Sequence, residues 1–291
     1  MTTNHTPELD ALLHQAMEAD FQAEKTRKLK NFQYLNQYIK KGQILFTGSS
    51  LMEHFPVAEL YAESDLSKNG LLVYNRGIGG YTTDEFLRDI DTMLLDLEPS
   101  RLFINIGTND MNSTPAASDS NASADIPSDA DDEPSWMPHL IQNYEKILQI
   151  CQEKLPKTEI YMMAYYPINT RVISMMKAPF LKEKFKTRTN EKVRQANAKI
   201  AQLAEQHGCH YIDVNDGLAN NAGVLKPEYT VEGVHMYPNG YRIVFENLKA
   251  GLYLVSEGKG IKDGYEYTSE AFLVALPELG ERDQWIADVN S

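Results

Sequence analysis

The chain has 291 residues, with 41 Asp plus Glu against 28 Lys plus Arg, a formal charge of −13. That excess of acid disfavours sequence-independent nucleic-acid binding and docking on an anionic membrane, both of which need clustered cations. Hydrophobic residues at 42% provide for a sizeable core, and two cysteines, Cys151 and Cys209, make no disulfide framework.

The chain opens MTTNHTPELDALLHQ, with neither a basic n-region nor an apolar h-region, so no secretory leader is expected and the protein is read as cytoplasmic. No stretch approaches the roughly 18 apolar residues of a membrane-inserted helix. Residues 8–40 carry helical spacing (Leu9, Leu12, Leu13, Met17). A short buried strand follows at Ile44–Thr47 and a second at Leu71–Tyr74. Residues 84–96 look helical, with Phe86, Leu87, Ile90, Met93 and Leu94 on one side. Leu102–Ile106 is a third strand. A helix over 136–154 leads to a fourth strand at Glu159–Ala164, a long helix over 180–207 to a fifth at Tyr211–Val214, and 240–255 is a closing helix. Short apolar strands separated by helices predict an α/β fold, a mostly parallel sheet covered on both faces.

Two segments stand apart. Residues 111–135 hold six acids and no Lys or Arg, and Met111 and Ile126 are their only large apolar side chains. Such a composition cannot offset its ordering entropy, which predicts an inserted acidic low-complexity loop. Residues 256–291 form an acidic C-terminal extension of net charge −5, so the remainder of the chain is close to neutral at −2. The organisation expected is a single domain over 1–255 with an N-terminal helical extension, the inserted loop, and the tail. An apolar run in the tail, Ala271–Leu276, marks a contact with the parent domain or with a second copy in a homo-oligomer.

In open parallel sheets, ligands bind at the carboxyl ends of the strands. Strand one is followed by Gly48-Ser49-Ser50-Leu51, strand two by Asn75-Arg76-Gly77-Ile78-Gly79-Gly80, and strand three by Gly107-Thr108-Asn109-Asp110. Glu232-Gly233-Val234-His235 comes before the last helix. Taken singly, Ser50 reads as a helix cap and the glycines as turn formers. Together they bring a nucleophile, oxyanion donors and a base to one edge, which is what acyl transfer needs.

These four blocks, in order from Gly48 to His235 over about two thirds of the chain, resemble the SGNH, or GDSL-type, serine hydrolases. The glycine turn is most similar to the platelet-activating-factor acetylhydrolase branch. The resemblance implies a three-layer α/β/α flavodoxin-like fold around a five-stranded sheet. It implies a nucleophile at Ser50, a base at His235, and an oxyanion hole from the N–H groups of Ser50 and Gly80 with the Asn109 side chain. Helix start at Ser50 would add a favourable dipole. Two departures stand out. Ser49 replaces the family's aspartate before the nucleophile, and Glu232 replaces the aspartate three residues before the histidine. Glutamate is one methylene longer, so either Glu232 orients His235 or a backbone carbonyl does so in a Ser–His dyad.

The activity implied is hydrolysis of short-chain acyl esters, acetyl esters foremost, on a small-molecule substrate, with no cofactor and no metal. The alternatives are an acyltransferase using the same serine and a catalytically silent binding module. Arg76 and Tyr81 flank the glycine turn and either touch substrate or pack the neighbouring loop. His207-Gly208-Cys209-His210 invites a metal reading but lies at the start of strand five, away from the chemical edge, and lacks further ligands at known spacing.

Overall fold

Five short strands set the architecture: β1 (Ile44–Gly48), β2 (Val73–Gly77), β3 (Arg101–Asn105), β4 (Glu159–Met163) and β5 (His210–Ile212). The computed structural model describes residues 7–112, 134–177 and 179–256. All neighbouring strands run parallel, in the order β2-β1-β3-β4-β5. Central β1 is apolar along its length, with Ile44, Leu45 and Phe46 at most 1% exposed, because helices cover both sheet faces. Each such side chain contributes roughly 1.5–3 kcal/mol through burial.

The helices between strands are α2 (Ser50–Glu53) and α3 (Val57–Ala62) after β1, then α4 (Thr83–Arg88) and α5 (Ile90–Met93) after β2. α6 (Met137–Lys154) follows β3; α7 (Thr170–Ser174), α8 (Pro179–Phe185) and α9 (Asn190–Gln206) follow β4; α10 (Pro238–Ser256) closes the described chain. One core packs α4–α6 and α9 on the sheet through Leu45, Phe86, Met93, Ile104, Leu140, Ile147 and Ile200. The long first helix, α1 (Pro7–Leu35), bonds to this body through its second half, where Lys25 pairs with Glu85 and Lys28 with Glu53, and through Asn36, just after it, which donates to the Thr92 carbonyl and accepts from Arg76 Nε at 2.9 Å. A compact unit runs to Leu248, inside α10. Among the described residues no helix is long and apolar enough to cross a membrane.

The strands expected from apolar runs are present, with one instructive shift. β2 begins two residues later than Leu71 and runs on through Asn75 and Arg76, because it lies at the sheet edge, where polar side chains are tolerated. Arg76 is buried beneath the α1 side, its guanidinium 4.9 Å from the Phe32 ring centre and 5.7 Å from that of Tyr74, so it faces away from the strand ends. Tyr81 is also a packing residue, buried, with its hydroxyl donating to Asp89 at 3.0 Å.

Two helices expected to be continuous are broken. The helix over 84–96 divides at Asp89, whose φ of −108° and ψ of 18° leave the helical range. The helix over 180–207 divides between Phe185 and Asn190, where Thr189 is extended and caps α9 by accepting from the Lys192 N–H. The acidic insertion is shorter than composition implied at its start. Met111 is 1% exposed and part of the core, within a 3-10 turn over Asp110–Asn112. Residues 113–133, the tail beyond Ser256 and its run Ala271–Leu276 lie outside the described residues.

Candidate active site

The strand order reverses around β1, which has β2 on one side and β3 on the other. In such sheets that switch point is where ligand crevices open. Gly48 is in register with Gly77 on β2 and Asn105 on β3, so the turns carrying Ser50, Gly80 and Asn109 leave the sheet side by side. Close approach demands the first of these glycines. A Cβ on Gly48 (φ +146°) would lie 1.9 Å from the Asn105 carbonyl oxygen.

Ser50 opens α2, and its Oγ lies 2.8 Å from His235 Nε2. His235 Nδ1 is 2.7 Å from Glu232 Oε1, the same oxygen that accepts the His235 backbone N–H at 2.9 Å. With Nδ1–H donating to the carboxylate, Nε2 is left to accept the Ser50 hydroxyl. Burial pushes the Glu232 carboxyl up, but its hydrogen bonds to His235, the imidazole charge and the backbone N–H groups of His235 and Val234 outweigh this and hold it below the ordinary range. The three side chains thus form one hydrogen-bonded file across 185 residues of sequence. Ser49 is fully buried and its Oγ points to Thr108 Oγ1 at 3.5 Å, so of the two adjacent serines only Ser50 meets the imidazole.

The loop holding His235 is built tightly. Val231 N–H and Thr230 Oγ1 both donate to the His235 carbonyl, and Gly233 N–H donates to Thr230 Oγ1 at 2.7 Å. Gly233 (φ +106°) lies against Asn169, whose N–H donates to the Gly233 carbonyl. The imidazole sits between two rings, His54 at 5.0 Å and Phe185 at 5.9 Å, both edge-on. Burial and the neighbouring His235 hold His54 below its ordinary pKa.

The glycine turn is sorted by its hydrogen bonds. Gly79 N–H donates to Glu53 Oε2 at 2.5 Å, and Glu53 also pairs with Lys28 of α1. Neither the Gly80 nor the Ser50 N–H is committed to another described residue. Gly80 (φ +76°) is roofed by α1, for a Cβ there would lie 2.2 Å from Phe21 Cζ. The turn then enters α4 through a capping box: Glu85 N–H donates to Thr82 Oγ1, and the Glu85 carboxylate accepts the Thr82 N–H. Lys25 of α1 binds the same carboxylate at 2.9 Å. The first helix is therefore a wall of the site.

Asn109 is 8% exposed and clamped at both ends of its amide. Its Nδ2 donates to the Tyr81 carbonyl at 2.9 Å, and its Oδ1 accepts from Arg188 at 2.8 Å. The next residue, Asp110, accepts the Thr83 N–H at 3.1–3.2 Å and the Thr83 hydroxyl, which ties the β3 loop to the start of α4. Burial pushes the Asp110 carboxyl up to about 6, against the lowering effect of the Thr83 bonds.

All five residues singled out from sequence thus lie at one edge of the sheet. Four contributors carried no sequence signal of their own: Phe21, Glu53, His54 and Arg188. Elsewhere, the His210 ring stacks on Tyr161 at 4.7 Å, and among the described residues no group of three or more His, Cys, Asp or Glu side chains is placed to hold a metal ion.

A parallel α/β sheet with a serine–imidazole–carboxylate file at its switch point has the parts that acyl transfer requires. The GDSL-like lipase/acylhydrolase family model matches residues 48–243. No curated protein matches the chain. Among solved structures, a Streptococcus pneumonia protein named for platelet activating factor is 28% identical, with 84% of this chain and 99% of that one covered at a TM-score of 0.66. A GDSL-like lipase from Bacteroides thetaiotaomicron is 19% identical, covering 78% and 98% at 0.57. A catalytic mutant of an acetylxylan esterase from Geobacillus stearothermophilus is 16% identical, covering 74% and 96% at 0.52. The last two likenesses are of fold. The chain belongs to the GDSL-like lipase/acylhydrolase family, and it is an ester hydrolase.

Proposed function

We propose that the chain is a serine esterase acting on short-chain acyl esters, acetyl esters foremost, through an acyl-enzyme on Ser50. His235 takes the Ser50 proton as Oγ attacks the ester carbonyl. Glu232 accepts the Nδ1 proton, keeps the tautomer and stabilises the imidazolium as it forms. The oxyanion is held by the N–H groups of Ser50 and Gly80 and by the second Nδ2 proton of Asn109. Removing one such donor typically costs roughly 2.7–4 kcal/mol of transition-state stabilisation. α2 is a single turn, so what it offers the oxyanion is the Ser50 N–H rather than a long dipole. His235 then protonates the leaving alcohol, and water repeats the sequence on the acyl-enzyme.

The observation that carries this reading is the file Ser50–His235–Glu232, at 2.8 and 2.7 Å, beside two uncommitted N–H groups. Turnover of p-nitrophenyl esters from acetyl to octanoyl tests it, with wild type and Ser50→Ala. The expected result is highest kcat/KM on the acetyl ester and loss of at least three orders of magnitude in the alanine variant. Retained turnover in Ser50→Ala removes the nucleophile. Transfer to an added alcohol in preference to water makes the enzyme an acyltransferase, and no turnover of any ester marks a silent binding module.

A further inference from the structure

Arg188 lies in the break between α8 and α9 and is 4% exposed. A buried guanidinium is ordinarily held by a carboxylate, because an unpaired buried charge is expensive. Here the hydrogen bonds go to two side-chain amides: Nε donates to Asn112 Oδ1 at 2.9 Å, and a terminal nitrogen donates to Asn109 Oδ1 at 2.8 Å. No carboxylate lies within ion-pair distance of it among the described residues. Phe185 lies beneath the guanidinium at 5.0 Å and meets the His235 ring in an edge-to-face contact at 5.9 Å, so one aromatic ring links this cation to the imidazole. Burial lowers its pKa to about 10, with Glu232 and Asp110 opposing the shift, which leaves it charged at neutral pH.

The consequence falls on Asn109. A side-chain amide has two nearly isosteric orientations, one presenting oxygen and the other NH₂. Arg188 has donors only, so it accepts one orientation and rejects the other. With Oδ1 held by Arg188 and one Nδ2 proton held by the Tyr81 carbonyl, the second Nδ2 proton is fixed in direction. A cation on Oδ1 also draws electron density from the amide and strengthens that N–H as a donor. We propose that Arg188 is a positioning residue of the oxyanion hole, acting through Asn109 by locking its amide and polarising the remaining N–H. This rests on the esterase reading above.

A double-mutant cycle tests it. Arg188→Met, Asn109→Ala and the pair are compared on p-nitrophenyl acetate, with circular dichroism and melting of each variant. Arg188→Met is expected to lower kcat about 10–100-fold, less than removal of a donor outright, with KM within about twofold. In the Asn109→Ala background the same change is expected to cost less than about threefold. Arg188→Lys, which keeps one donor and the charge, is expected to recover at least fivefold in kcat over Arg188→Met. If Arg188→Met does not fold, Arg188→Gln takes its place against Arg188→Lys.

Multiplicative losses in the cycle would overturn the proposal, as would a raised KM with unchanged kcat or equal activity of the Lys and neutral variants. These outcomes are separable from failure of the esterase reading. That reading fails when wild type has no esterase turnover or Ser50→Ala retains it, whatever the cycle gives.

Discussion

Glu232→Gln probes how the imidazole is held. In the wild type one oxygen, Oε1, accepts both the Nδ1 proton at 2.7 Å and the His235 backbone N–H at 2.9 Å, in a pocket that leaves the carboxylate side chain 15% exposed. Glutamine keeps the shape and loses the charge. Because the backbone N–H is a donor that cannot turn away, it keeps the amide oxygen, and not the NH₂, at the Oε1 position. The tautomer is therefore preserved, and the loss is the charged part of the hydrogen bond to the imidazolium. Charge-assisted bonds contribute about 1.5–3 kcal/mol. At about 1.36 kcal/mol per tenfold in rate, kcat falls between about tenfold and about 150-fold. Steady-state kinetics on p-nitrophenyl acetate at saturating substrate reads this directly. A loss under about tenfold would refute the role of Glu232 and favour a Ser–His dyad. A loss near 10⁴ would mean that the amide had flipped and inverted the tautomer, refuting the anchoring by the backbone N–H.

Other perturbations follow from the same contacts. Gly48→Ala places a methyl 1.9 Å from a backbone oxygen at φ +146°, so it is expected to abolish soluble folded protein; a cooperative melt near the wild-type Tm contradicts it. Gly80→Ala meets Phe21 at 2.2 Å and adds about 1–2 kcal/mol of left-handed backbone strain, so both Tm and kcat fall. Adding Phe21→Ala removes the clash but not the strain, so full recovery of Tm in the pair counts against a strained backbone at this glycine. Asp110 titrates at about 6 in the fold against an ordinary 3.8, so its protonation stabilises the native state fully below about 4 and is lost as pH rises through about 6. Denaturant melts of wild type and Asp110→Asn should therefore diverge, the wild type losing about 2 kcal/mol relative to the variant between about pH 4.5 and about pH 8. A gap that does not change with pH contradicts the raised pKa.

The strands were legible because three of the five, β1, β3 and β4, are largely buried apolar runs, and the site was legible because its residues follow those strands immediately. What periodicity could not read was where helices stop. Leu87, Ile90, Met93 and Leu94 hold a helical spacing across Asp89, yet the backbone leaves the helix there to let Asp89 meet Tyr81 and Arg88. The same error hid Arg188. Inside a helix over 180–207 it would be one more surface cation, whereas the extended Thr189 turns it inward. The signal was present in Thr189-Asn190, a capping residue at a helix start. Phe21 and Glu53 reach the glycine turn from distant parts of the chain, and only tertiary packing brings them there. The acidity of the chain, concentrated in 111–135 and 256–291, carried no information about this edge of the sheet.

The proposed mechanism stands or falls on Ser50, and not its neighbour Ser49, being the nucleophile. Incubation with a fluorophosphonate, followed by tandem mass spectrometry of the peptide spanning Gly48–Leu51, decides between two adjacent hydroxyls whose environments differ sharply. The Ser50 Oγ lies 2.8 Å from His235 Nε2, while the Ser49 Oγ is fully buried against Thr108. One adduct is expected, on Ser50, absent from Ser50→Ala and strongly slowed in His235→Gln. An adduct on Ser49, or labelling of Ser50 at an undiminished rate without His235, would contradict the mechanism.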